Sequence, residues 1–280
     1  MQLTIVRDIN ALQATVATWR EEKLSTAIVP TMGALHEGHL TLVAEAFARA
    51  DRVVVTIFVN PRQFGLTEDL SRYPRQEEGD TQLLGQHGVN LLFAPALAEI
   101  YPPHFATIVR IEGPAKAGLE DKFRPHFFDG VATIVAKLLI AAGTDFAVFG
   151  EKDYQQLQVV KRMTEDLGLP TRIIGVPTHR DSEGLALSSR NQYLSRAERH
   201  QAAAIHKNLR QAAEKIRAGA KPQLATRAAS RSLTTLGFKV DYVTARNAHT
   251  LAVPTAQDEP LRLLAAAWLG KTRLIDNIAV

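Results

Sequence analysis

Along the first two thirds of the chain, apolar residues alternate between helical spacing and short continuous runs. Ile9, Leu12, Val16 and Trp19 recur at helical intervals behind Asp8, a good N-cap, so a helix is predicted from Asp8 to Arg20. The runs "TAIVP" (26–30) and "RVVVTIFV" (Arg52 to Val59) are continuous and β-branched, as a parallel strand buried on both faces requires. Between them "EGHLTLVAEAFARA" has helical composition, giving a strand, helix, strand unit. The rhythm returns in helical "RQEEGDTQLLGQHG" before the strand "NLLFAP", and in "GVATIVAKLLIAAG" before the strand "DFAVFG" (Asp145 to Gly150). The helix "YQQLQVVKRMTEDLG" ends at Gly168, where a C-cap belongs, and "TRIIGVP" follows as a strand. This alternation predicts an α/β fold with a Rossmann-like, doubly wound parallel sheet that takes ligands at the carboxyl ends of its strands.

The rhythm changes after about Arg190, and the break suggests a second domain that begins near Gly175 to Arg190. Two helices, about Arg196 to Ala218 and Pro222 to Leu236, precede the strands "FKVDYVTA", "LRLLAAAWL" and "TRLIDNIAV". The expectation is a first domain over 1–178 and a smaller α+β C-terminal domain over 179–280.

Composition narrows the function classes. With 46% hydrophobic and 22% charged residues, 280 residues are ordinary globular material. The net charge of +4 suits anionic small molecules, and without a dense basic block interleaved with aromatics nucleic acid is not expected. There is no cysteine, which removes thiolate chemistry and Cys-bound zinc and fits a reducing, cytoplasmic setting. No apolar window reaches membrane-spanning length, so no membrane partner is expected.

Four polar clusters carry candidate chemistry. In "PTMGALHEGH" (30–39) the histidines are three apart, and four after His36 stands Leu40, so the zinc-protease pairing fails. The stretch lies where a strand ends and a helix begins, a position that offers N–H groups to a phosphate; it also reads as a plain tight turn. "FVNPRQFG" supplies Asn60 and Gln63, or else a Pro turn. "FGEKDYQQLQ" places Lys152 near phosphate reach and Gln155 or Gln156 near a polar substrate, with Asp153 equally readable as a cap. "RDSEGLALSSRNQYLS" offers Ser188, Ser189 and Arg190 as a polyphosphate clamp, or as a Ser-rich helix start. Three of the four stand at successive strand ends and one at the domain junction, so they converge on one rim of the sheet.

Together, "PTMGALHEGHLTLV", "FVNPRQFG", "FGEKDYQQL" and "RDSEGLALSSRNQYLS" resemble the pantothenate synthetase family, AMP-forming pantoate:beta-alanine ligases of the nucleotidylyltransferase superfamily with its HxGH signature. The resemblance implies ATP-dependent condensation of (R)-pantoate with beta-alanine through a pantoyl adenylate, giving pantothenate, AMP and diphosphate, with Mg²⁺ and a homodimer. It implies an ATP site of Met32, Gly33, Ala34, Leu35, His36, Glu37, Gly38, His39, Gly150, Glu151, Lys152, Asp153, His179, Leu187, Ser188, Ser189 and Arg190. The C-terminal domain would close over it. Gln63 and Gln156 would hold pantoate, with Asn60 and Tyr73 bordering that pocket, and His36, His39, Lys152 and Arg190 would be catalytic. The segment "GLTEDLSRYPRQ" (65–76) is expected to be a covering flap.

Pantoate's own carboxylate attacks phosphorus in such a reaction, so positioning and charge neutralisation suffice without a protein nucleophile. The chain departs from the family pattern at Phe127 and His126, where His and Gly are usual, and at Arg62, where Met is common and a charge is added near the pocket mouth. Another HxGH nucleotidylyltransferase acting on a small metabolite is the alternative. The neutral amides of Gln63 and Gln156 favour a hydroxy acid over a phosphate ester. A tRNA synthetase lacks support in the small C-terminal region, and a non-catalytic nucleotide-binding module would not require Lys152, His39 and Arg190 together.

Overall fold

Asp8 accepts the N–H of Ala11 at 2.8 Å, and the helix it starts, α1 (Ile9–Glu21), buries Leu12 and Val16. The computed structural model describes residues 3–65, 68–255 and 260–280. The chain divides into two compact units, Met1–Glu151 with Val159–Pro177, and Lys152–Gln158 with Thr178–Val280.

In the first unit, β1 (Thr4–Val6), β2 (Thr26–Thr31), β3 (Arg52–Ile57), β4 (Leu91–Phe93), β5 (Phe146–Gly150) and β6 (Arg172–Val176) form a parallel sheet. Its order is β1-β4-β3-β2-β5-β6. From β2 the chain runs outward through β3 to β4, then returns to the other side of β2 with β5 and β6. That reversal makes the carboxyl ends of β2 and β5 the switch point where such sheets bind ligands. The two strands also part there. β2 pairs with β5 only at Ala27–Phe146 and Ile28–Ala147, while its ladder with β3 runs on to Thr31–Ile57. Pro30, which has no N–H to offer, stands beyond the last β5 pairing.

Helices α2 (Glu37–Phe47) and α3 (Glu77–Gln86) cover one face, where Val43, Ala46 and Leu84 join Ala27, Val29, Val53, Val55, Leu92 and Val148. The alternate residues Ile28, Val54 and Leu91 are equally buried, as a sheet covered on both faces requires. The short helices α4 (Leu97–Ile100) and α5 (Glu120–Phe123) precede α6 (Phe127–Ala142), which is buried along most of its length and packs with α1 and β2. α7 (Tyr154–Asp166) leads to β6.

The second unit holds α8 (Arg196–Ala202), α9 (Ala204–Arg217) and α10 (Pro222–Thr235), then an antiparallel sheet β7-β8-β9 (Lys239–Asn247, Leu261–Leu269, Thr272–Ala279). Ile205, Leu209, Leu233 and Phe238 from the helical side meet Leu263, Ala265 and Ala267 of β8, whose small side chains admit a close helix layer. Two differences from the sequence reading stand out. The segment Arg196 to Ala218 is two helices that break at Ala203, with no Gly or Pro to mark the break. β1, α4 and α5 are additional elements, each too short to show a period. Among the described residues, no helix is long and apolar enough to cross a membrane.

Candidate active site

Where β2 ends, the backbone turns left-handed at Gly33 (φ 78°) and again at Ala34 (φ 51°). A Cβ on Gly33 would stand 3.0 Å from Asp80 Oδ2 and 3.1 Å from Ile57 Cγ2, so glycine answers both the conformation and the close approach. Asp80, in the first turn of α3 and 3% exposed, takes the N–H groups of Ala34 and Leu35 at 2.8 Å each. Burial pushes its carboxyl above the ordinary range, against the pull of those two N–H bonds. Two N–H groups of the expected phosphate cradle are thus held by a carboxylate that the sequence reading did not single out.

The two histidines cap α2. His36 is the N-cap and its Nδ1 accepts the N–H of Gly38 at 3.1 Å; His39 Nδ1 accepts the N–H of His36 at 3.3 Å. This is the reciprocal arrangement of a capping box, with imidazoles in place of hydroxyl and carboxylate. The chemical consequence is a fixed tautomer. A ring nitrogen that accepts carries no proton, so in the neutral imidazole the proton sits on Nε2, and each ring carries an Nε2–H donor. The rings lie 4.1 Å apart at 39°. Glu37 beside them is exposed, while Met32, Leu35, Gly38 and both histidines are half-buried.

At the end of β3, Asn60 is 1% exposed and its amide is used in full. Nδ2 donates to Gln63 Oε1 (3.0 Å) and to Gly130 O (3.1 Å); Oδ1 accepts from Tyr101 Oη (2.8 Å) and from Arg62 N (3.3 Å). Gln63 in turn directs Nε2 at Met32 Sδ, 3.1 Å away, which joins this cluster to the β2 turn. Arg124 Nη2 donates to Gln63 O at 3.0 Å while its guanidinium forks onto Glu68 at 2.6 and 2.8 Å and lies 3.8 Å from the centroid of Phe127. Phe127 is therefore the seat of Arg124, and His126 is the exposed N-cap residue of α6. Arg62 lies over Tyr101 and Phe105 at 4.8 and 4.9 Å, so its charge is held on an aromatic platform. Burial pushes the Tyr101 hydroxyl up to about 12. Tyr73 is buried with its ring edge-on to Phe64 at 5.7 Å; in the 65–76 segment, Leu66 and Thr67 lie outside the described residues.

Gly150 ends β5 and Glu151 opens the 3-10 turn after it; both belong to the first unit and are half-buried. The second unit holds the other candidates. Lys152, its side chain 20% exposed, has Nζ 3.6 Å from Asp153 Oδ2. Gln155 is buried and Gln156 half-buried, so Gln156 is the accessible one of the pair. His179 is exposed and its carbonyl accepts the N–H of Leu187 at 3.0 Å; Ser188 Oγ caps a 3-10 turn, Ser189–Tyr193, by accepting the N–H of Arg190 at 3.3 Å. Asp80, Tyr101 and Arg124 are the supporting residues that sequence reasoning missed. The pattern held no signal for them, since each acts through a fold contact far away in the chain. Among the described residues no group of three or more His, Asp or Glu is gathered to hold a metal.

Comparisons with known proteins agree in kind. The family model of pantoate-beta-alanine ligase matches residues 4–279. A pantothenate synthetase of Mesorhizobium japonicum is 53% identical over 277 residues, covering 99% of this chain and 97% of that protein. One from Paramagnetospirillum magneticum has the same identity and coverage. Among solved structures, the pantothenate synthetase of Thermus thermophilus superposes with a TM-score of 0.92 at 43% identity, covering 98% of each chain. The pantoate-beta-alanine ligase of Francisella tularensis, complexed with beta-gamma ATP and beta-alanine, gives 0.82 at 33% identity, covering 99% of this chain and 97% of that one.

Proposed function

Because the chain belongs to the pantoate-beta-alanine ligase family, we infer that it condenses pantoate with beta-alanine, consuming ATP and releasing AMP and diphosphate. The product is an amide. In the first step a pantoate carboxylate oxygen bonds to the α-phosphorus and diphosphate leaves; in the second the beta-alanine amine bonds to the acyl carbon, loses a proton, and AMP leaves.

The observation that carries the residue assignment is the reciprocal histidine cap at the end of β2. It supports His36 and His39 as Nε2–H donors to phosphate oxygens, held ready without reorganisation as charge develops. Lys152 and Arg190 would add the positive charge that the leaving diphosphate requires. Gln63, with Oε1 committed to Asn60, would donate through Nε2 to pantoate, and Gln156 would be the second pantoate ligand. Asn60 would act through Gln63 rather than on the substrate, because its own polar atoms are engaged within the protein. Met32–Leu35, Glu37, Gly38, Gly150, Glu151, Asp153, His179 and Leu187–Ser189 would line the ATP site.

Mg²⁺ belongs to the same reading. With no triad of acids or histidines gathered among the described residues, the fit is to an ion held mainly by phosphate oxygens, with Asp153 beside Lys152 as the protein carboxylate. Bound there it would offset phosphate charge. A homodimer is supported by the family resemblance, and a cytoplasmic setting by the absence of cysteine. The test is product analysis with ATP, Mg²⁺, pantoate and beta-alanine. AMP and diphosphate should appear only when pantoate is present, and pantothenate only when beta-alanine is added; ADP and phosphate would overturn the adenylate route.

A further inference from the structure

On the premise that Lys152 and Arg190 serve the ATP reaction, we propose that Asn277 is a positioning residue for Lys152. With its neighbour Asp276 it makes β9 the common anchor of the two segments that carry these charges. Asn277 is 3% exposed, and its Nδ2 donates to the main-chain oxygen of Lys152 at 2.9 Å. Its Oδ1 accepts from Arg262 Nε at 2.6 Å, and its N–H is turned to Asp276 Oδ1 at 2.7 Å. Arg262 lies 4.1 Å from the ring centroid of Tyr154, two residues past the lysine, and the Tyr154 hydroxyl donates to Ala248 O at 2.9 Å. The backbone on which Lys152 stands is therefore held at residues 152 and 154 by the sheet of the second unit.

Asp276 does the same for the other segment. Its carboxylate takes both Arg180 Nη atoms at 2.7 Å, and Arg180 Nη1 also donates to Gly184 O at 3.0 Å. Arg180 bridges to Ala186 in the hairpin that leads directly into Leu187–Arg190, and Asn191 Nδ2 donates to Ala186 O at 3.0 Å. Two adjacent β9 residues thus fix both charged segments against one rigid strand.

Stability alone does not explain such a network, since apolar replacements of buried polar groups are often neutral or better. Positioning does: a displacement of about 1 Å at a reacting group costs on the order of 10²-fold in rate.

The test is a double-mutant cycle on the whole enzyme, reading pantoate-dependent AMP release and the melting temperature. Asn277→Ala should lower kcat at least tenfold and leave the pantoate KM within twofold. If that variant does not fold, Asn277→Asp, which keeps the acceptor for Arg262 and removes the donor to Lys152, takes its place and should give the same split. In the Lys152→Ala background either change should add less than twofold, because the group it positions is gone. Wild-type kcat in a folded Asn277 variant, or full additivity with Lys152→Ala, overturns the proposal. A wild-type enzyme that releases no AMP with pantoate overturns the functional reading first, and this one with it.

Discussion

Asp80→Asn is the sharpest probe of how the β2 turn is held. The carboxylate accepts two N–H groups, from Ala34 and Leu35, at 2.8 Å each. The amide can accept only one of them, and its NH₂ then faces the other donor. A buried N–H left without an acceptor costs about 1–3 kcal/mol. At roughly 2–4 °C per kcal/mol for a body of this size, the melting temperature should fall by about 2–12 °C. The pH dependence gives an independent sign. Burial raises the folded pKa of Asp80 above the unfolded value, near 3.9, so the protonated form is favoured in the fold. That stability is fully present below the unfolded pKa and is lost as pH rises through the folded one. The variant does not titrate there, so its deficit should be larger at about pH 4 than at pH 7. Thermal melts at the two pH values, with AMP release measured alongside, decide the matter. An unchanged melting temperature with normal turnover would refute the claim that Asp80 holds the turn, and a deficit that grows towards neutral pH would refute the sign.

His36→Asn should separate capping from chemistry: the asparagine restores the cap, worth about 1 kcal/mol over alanine, so its melt should lie above that of His36→Ala while both lose turnover. Gly130→Ala would place a Cβ 2.2 Å from Arg62 O, against backbone that cannot yield without moving the Pro61–Gln63 turn. A loss of about 1–3 kcal/mol or more and a raised pantoate KM are expected, and a wild-type melt would disprove the close approach. In an ultraviolet titration one of the five tyrosines should ionise only near pH 12, and Tyr101→Phe should remove that late step. Because the folded pKa of this hydroxyl is raised, the stability it confers is lost as pH climbs from about 10 through that value.

The parallel sheet was legible because its strands bury both faces and leave continuous β-branched runs, as in Val53–Val55. The helix starting behind Asp8 was legible because a cap is a local event. β1 was not, since three residues carry no period and Thr4–Val6 become a strand only by pairing with Leu91–Phe93. The histidines could be placed at a helix start from spacing, but their tautomer follows from which N–H each ring accepts. Asn60 reads as a pocket residue in the sequence; Tyr101 and Gly130, distant in the chain, turn its amide inward. The contribution of Asp80 likewise comes from α3 and has no counterpart in the local pattern of residues 30–39.

The edge position of β1 bears on the order in which the molecule assembles during synthesis. Translation completes Thr4–Val6 long before Leu91–Phe93 exist, while β2 and β3 can pair soon after Ile57 is made. Until β4 emerges, the N-terminal strand has no ladder to join, and closing the longer loop between them carries a larger entropy cost than the β2–β3 pair meets. A pulse-labelled nascent chain should therefore show amide protection in β2 and β3 ahead of β1, so the strand that comes first in the chain is not the first to be secured.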